Sequence, residues 1–202
     1  MVKKKDLLYI AWKESFLWEG CPLCFLIEKS IRNSMENFLY ENINDPKLRE
    51  IIRKNNGLCE RHFLQLLSFQ DFLGVSILLE DLTKNVIIPS LKNNVIPQIK
   101  RCIFCEKEKE YENLYILALE EILKNPEDFE FWKEKAYSFC IPHKEKIKNS
   151  IDQNLWEKME PILKDKPKKY PEYLYGTFPW KQNHAELFLK KIRILESRRN
   201  EY

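Results

Sequence analysis

Eight residues of this chain have the types and the spacing that bind soft metal ions. Cys21 and Cys24 form "CPLC", and Cys102 and Cys105 form "CIFC". Cys59 and His62 lie in "GLCERH", Cys140 and His143 in "SFCIPH". Each residue of the first set returns 81 positions later in the second. The chain therefore holds two copies of C-x2-C-x34-C-x2-H, the mark of an internal duplication. Of its six cysteines and three histidines, only His184 falls outside the pattern.

Three thiolates and one imidazole make a common closed tetrahedral set for zinc. Residues three apart on a first helical turn face the same way, so two such pairs can grip one ion. Helix N-termini favour the thiolate through unpaired N–H groups and the dipole. The pattern predicts two structural Zn2+ ions per chain, held by Cys21, Cys24, Cys59, His62, Cys102, Cys105, Cys140 and His143. Other chemistries fit less well. Thioredoxin-like CxxC motifs expect a βαβ setting and no partner CxxH. Iron–sulfur clusters are more often held by four cysteines. A Cys–His catalytic pair leaves the CxxC motifs unexplained, and no catalytic residue is assigned. Two ligations satisfy the spacing: within each repeat, or crossed, with Cys21 and Cys24 joining Cys140 and His143. A helix over 22–40 travels about 28 Å from the metal, and residues 42–58 can return roughly 38 Å. Ligation within each repeat is the favoured expectation.

The elements that must position these ligands read as helices. Leu23, Ile27, Ile31, Met35 and Phe38 step by four, four, four and three after CPLC. Tyr111, Leu114 or Tyr115, Ala118 and Ile122 do the same after CIFC. Pro46 and Pro126 suit the starts of short return helices. Leu48, Ile51 and Ile52 are expected inward in the first, and Phe129, Trp132 and Ala136 in the second. His62 and His143 begin further helices. Residues 72–89 read as a buried helix between the repeats. A helix over 6–18 precedes the first repeat, and one carrying Ala185, Phe188, Ile192 and Leu195 on one face closes the chain. The expectation is a single all-α domain: repeat one over 21–68, a linking helix in 69–101, repeat two over 102–149, and a helical and aromatic segment over 150–202.

Composition narrows the function. The chain has 202 residues, 44% apolar and 32% charged, which suits a globular protein. Abundant Lys, Glu and Ile with scarce Gln resembles thermophile usage. No cleavable leader or long apolar span is legible, so a cytoplasmic protein without membrane contact is expected. The net charge of +3 is small, but residues 163–200 carry ten basic and four acidic side chains. There, Tyr170, Tyr173, Tyr175, Phe178 and Trp180 lie among Lys166, Lys168, Lys169 and Lys181. Stacking aromatics with cations can hold single strands. Lys168, Lys169, Tyr173, Tyr175 and Lys181 are the nucleic-acid candidates. Packing of these rings on the core is the favoured reading. The leading function is a non-catalytic zinc-binding module with a protein partner. Nucleic-acid binding and a redox-sensitive zinc thiol switch are the alternatives.

Several motifs carry a resemblance. Trp12 stands nine residues before the Cys21 of CPLC, and "GLCERHFLQLL" follows a GxCxxH pattern. "LGVSILL" at 73–79 and the Pro179–Trp180 pair continue it. The chain resembles an uncharacterised prokaryotic family, one of the domain-of-unknown-function groups. The resemblance implies a helical zinc-binding protein with no established activity. Ser138 stands where the first copy has Gly57, and Ile103 where it has Pro22.

Overall fold

The computed structural model describes residues 6–166, and the described residues form helices, turns and loops without strands. Helix α1 is Leu7–Phe16, α2 Pro22–Asn37, α3 Pro46–Lys54, α4 Glu60–Leu67 and α5 Phe72–Leu82. Next come α6 Ile88–Lys92, α7 Ile103–Leu123, α8 Pro126–Lys135, α9 Ile141–Ser150 and α10 Gln153–Asp165. Wider π-type turns extend α2 over Phe38–Asn42 and join α5 to α6 over Thr83–Ile87. The all-α expectation is met. The duplication is visible in the helix starts: Pro22 and Ile103, Glu60 and Ile141, and Phe72 and Gln153 are each 81 residues apart.

Short polar side chains start five of the ten described α-helices. The carboxylates of Asp6, Asp45, Asp71 and Asp152 accept from Leu8, Lys47, Gly74 and Leu155 N–H. Asn125 does the same for Glu127 and Asp128 at α8. Each satisfies a donor that the helix cannot. Pro46 and Pro126 fill the first turns of α3 and α8, as expected.

The described residues form two compact units, 6–32 with 107–166, and 33–106. In the first, Trp12, Trp132, Trp156, Phe16 and Leu23 are fully buried, packed with Leu119, Ile147 and Met159. Trp12 is its hub, touching the rings of Phe16, Tyr115 and Phe139 and donating from Nε1 to Tyr115 O at 3.1 Å. Tyr115, not Leu114, is the inward residue of α7. In the second unit, Ile52, Leu66 and Leu78 are fully buried. Asp81 of α5 receives Arg49 and Arg53 of α3, both at 3.0 Å, which ties the two helices.

Two core expectations need correction. Ile51 is 46% exposed, because Leu48 and Ile52 are four apart and take the inward face, leaving Ile51 about 100° round the helix. The 72–89 segment is only half-buried. Val75, Leu78, Leu82 and Val86 pack inward, while Phe72, Leu73, Leu79, Ile87 and Ile88 are exposed. An all-apolar run hides which face is inward.

The two copies end their return helices differently, and this explains the Gly57 to Ser138 departure. After α3, Asn56 N–H bonds Arg53 O and Gly57 N–H bonds Ile52 O, both at 2.9 Å. This is a Schellman turn, with Asn56 at φ 63° and Gly57 at φ 109°. After α8, Ala136 is extended at once, and the Lys166 ammonium caps Trp132, Lys133 and Ala136 carbonyls instead. Glycine is needed only in the first copy. A Cβ on Gly57 would meet Ile99 and Leu82 at an ordinary 3.6 Å, so only the backbone objects. Gly57→Ala should therefore cost about 1–3 kcal/mol by denaturant titration, whereas Ser138→Gly should cost less. Equal losses would remove this account.

Candidate metal centres

The two thiol–imidazole groups are assembled from helix N-termini. Cys59 and Cys140 are the N-cap residues of α4 and α9, and Cys21 and Cys102 immediately precede α2 and α7. An N-cap usually carries an oxygen that bonds the first turn. Here neither Cys59 nor Cys140 makes a side-chain cap bond. Their sulfurs turn instead toward the other thiols. Cys24 and Cys105 follow one turn into α2 and α7, and His62 and His143 one turn into α4 and α9.

All eight expected residues come together, in two groups of four. Cys21, Cys24, Cys140 and His143 form one, within the first unit, and Cys59, His62, Cys102 and Cys105 the other, within the second. In each, the donor atoms lie within 4.8 Å of one another. The grouping is crossed. Each CxxC meets the CxxH of the other repeat, which corrects the within-repeat expectation. The cause is the return path. A return over 42–58 requires about ten helical and seven extended residues travelling back along α2. The chain instead spends nine residues on α3, about 14 Å, and then reverses in the Schellman turn at 55–57. Cys59 and His62 are accordingly grouped with Cys102 and Cys105.

The geometry suits a tetrahedral ion. His143 Nδ1 lies 3.4, 3.2 and 3.2 Å from the sulfurs of Cys21, Cys24 and Cys140. His62 Nδ1 lies 3.3, 3.4 and 3.4 Å from those of Cys59, Cys102 and Cys105. Sulfur–sulfur distances are 3.7 Å for Cys24–Cys140 and 3.6 Å for Cys59–Cys105. A zinc tetrahedron with bonds of about 2.3 Å to sulfur and 2.0 Å to nitrogen spaces its donors about 3.5–3.8 Å apart. A disulfide would need about 2.0 Å, and all six cysteines are free thiols. The residues fit a thiophilic divalent cation.

Such crowding forces the protons apart. Burial pushes Cys102 up, but His62 and the N–H groups of Cys59, Cys105 and Phe104 outweigh it and bring the thiol down to about 6. Burial and the Cys102 charge push Cys105 up to about 12. Hydrogen bonds from Cys21 and Cys24 hold Cys140 far down, while bonding to Cys140 and Cys21 holds Cys24 far up. Burial lowers His143, but the Cys140 and Cys21 thiols outweigh it and push it up to about 10. Each group thus holds thiolates beside protons, and metal uptake must release protons.

The nucleic-acid candidates Lys168, Lys169, Tyr173, Tyr175 and Lys181 lie outside the described residues, as does His184, the histidine outside the repeat. Lys166, counted among the basic residues of the tail, is 7% exposed and bound to three carbonyls, so it does not face solvent phosphate. Burial brings its ammonium down to about 8. The spacing gave no sign of Glu112, which faces His143 from α7. It lies 31 residues upstream in sequence, and no local motif could have found it.

These features define a class: helical proteins that carry two Cys3His groups able to hold metal ions. Residues 4–95 match the model of a family of unknown function, DUF6062. The expected resemblance to an uncharacterised family is thereby met. A relative from Caldicellulosiruptor sp. (strain Rt8B.4), the "Uncharacterized 23.9 kDa protein in xynA 3'region", is 36% identical over 115 residues. That match covers 52% of this chain and 54% of the relative, about half of each. No solved structure matches the chain.

Proposed function

We propose that this protein is a zinc-stabilised helical module that works through its surface and performs no chemistry at the metal. The observation that carries this reading is the closed ligand set. Four protein donors converge in each group, and a catalytic zinc keeps one position for water or substrate. Two Zn2+ ions per chain would then be structural. Each would tie helix starts that are distant in sequence, α2 to α9 and α4 to α7. Zinc is favoured over harder cations because three of four donors are thiols. A protein partner is the reading consistent with the exposed Leu73, Leu91 and Ile96 of the second unit. No described helix is long and apolar enough to cross a membrane.

The test is metal content followed by cobalt exchange. Protein purified without chelator or metal resin should carry two zinc ions per chain. Exchanged with cobalt, it should show tetrahedral thiolate spectra that azide and cyanide leave unchanged at concentrations too low to strip the metal. A spectral shift with these small ligands would reveal an open position and overturn the non-catalytic reading. Iron with colour, or no metal, would overturn the zinc reading itself.

A further inference from the structure

His143 presents one ring nitrogen to the thiols and the other to a carboxylate. Nδ1 faces Cys21, Cys24 and Cys140, while Nε2 stands 3.6 Å from Glu112 Oε1. The second Glu112 oxygen, Oε2, pairs with the Lys146 ammonium. All three belong to the first unit, Glu112 on α7 and His143 and Lys146 on α9. Lys146 follows His143 by three residues, so both share one face of α9. Glu112 and His143 side chains are only 17% and 15% exposed, so water screens the pair weakly.

We propose that Glu112 is a positioning residue for the first unit's metal site, which rests on the metal reading above. A neutral imidazole carries one proton. Nδ1 can offer its lone pair to a cation only when that proton sits on Nε2. A carboxylate beside Nε2 selects this tautomer, fixes the ring plane and makes the ligating nitrogen more basic. Glu112 has the charge and the placement for that role. The 3.6 Å separation is longer than a hydrogen bond, and a few tenths of an ångström of ring movement closes it. Lys146 holds the far oxygen, so the near one stays turned to the histidine. The competing account is an ordinary surface ion pair between Glu112 and Lys146 that merely adjoins the site. Such a pair contributes little.

Chelator competition on the full chain separates the two. Wild type, Glu112→Gln, Glu112→Leu and Lys146→Met would be titrated with a zinc indicator. In Glu112→Leu, one of the two ions should bind about 10–100-fold more weakly and the other unchanged. Glu112→Gln should fall between, since its amide oxygen still accepts but carries no charge. Lys146→Met should lose less than Glu112→Leu. The His143 Nε2–H should be visible in 1H–15N spectra of the zinc-loaded wild type and exchange rapidly in Glu112→Leu, a change that a surface ion pair does not produce. Equal zinc affinities in wild type and Glu112→Leu would overturn the role of Glu112 while leaving two bound ions. A wild type that binds no zinc would instead overturn the metal reading on which the role depends.

Discussion

A chain carrying Cys21→Ser with Cys140→Ser should retain one zinc ion, whereas Cys21→Ser with Cys59→Ser should retain none. Both variants remove two thiols. They differ only in whether the thiols share a site. Cys21 and Cys140 belong to the same donor group, so the Cys59, His62, Cys102 and Cys105 group stays whole. Cys21 and Cys59 belong to the same repeat but to different groups, so both sites lose a ligand. Structural zinc sites bind with roughly 10–16 kcal/mol in finger peptides, comparable to the whole 5–15 kcal/mol stability of a domain. Loss of an ion should therefore melt its unit by tens of degrees. Elemental analysis and thermal melts read both effects. One zinc retained by the same-repeat pair, and none by the cross-repeat pair, would sink the crossed arrangement.

The second large effect should come from Trp12→Ala, at about 3–5 kcal/mol for the lost packing. Trp12 is fully buried, with ring centroids 5.4 Å from Phe16, 6.3 Å from Tyr115 and 6.5 Å from Phe139. Truncation opens a cavity between α1 and α7 and removes the Nε1–H bond to the Tyr115 carbonyl, which keeps its place in the helical ladder of α7. The lost hydrogen bond adds about 0.5–1.5 kcal/mol. Trp12→Phe keeps most of the ring and should show mainly that second cost. The zinc of the second unit should survive in both variants, since its four ligands lie within 33–106. Denaturant titration with zinc analysis checks this. A Trp12→Ala loss under 1 kcal/mol would show that Trp12 is not the hub of its core.

How much of this was legible depends on the range of the signal. Ligand identity was carried by local spacing, repeated once, and all eight residues converge. Helix starts were legible because Pro46, Pro126 and their capping neighbours act within a turn. The pairing of ligands was not. Swapped and unswapped folds have the same motif, and the choice was made by a nine-residue helix and a Schellman turn. Ile51 was misplaced because two adjacent isoleucines cannot both face inward, and one-letter periodicity did not say which one would. Lys166 read as a basic residue of the tail, yet it caps α8 across 30 residues or more. Glu112 reached His143 by tertiary packing alone.

The crossed grouping also sets an order for biosynthesis. Neither site can be completed by the first half of the nascent chain, and the 4–95 span that matches the family holds only half of each. The second unit has its last ligand once Cys105 leaves the ribosome, and the first must wait for His143, 38 residues later. At ordinary elongation rates that interval is about 2–8 s. Throughout it, Cys21 and Cys24 are made but have no partners, exposed to wrong metals and to oxidation. A truncation between the repeats would remove two ligands from each donor group at once. It would leave two half-sites, each with its ligands unmatched.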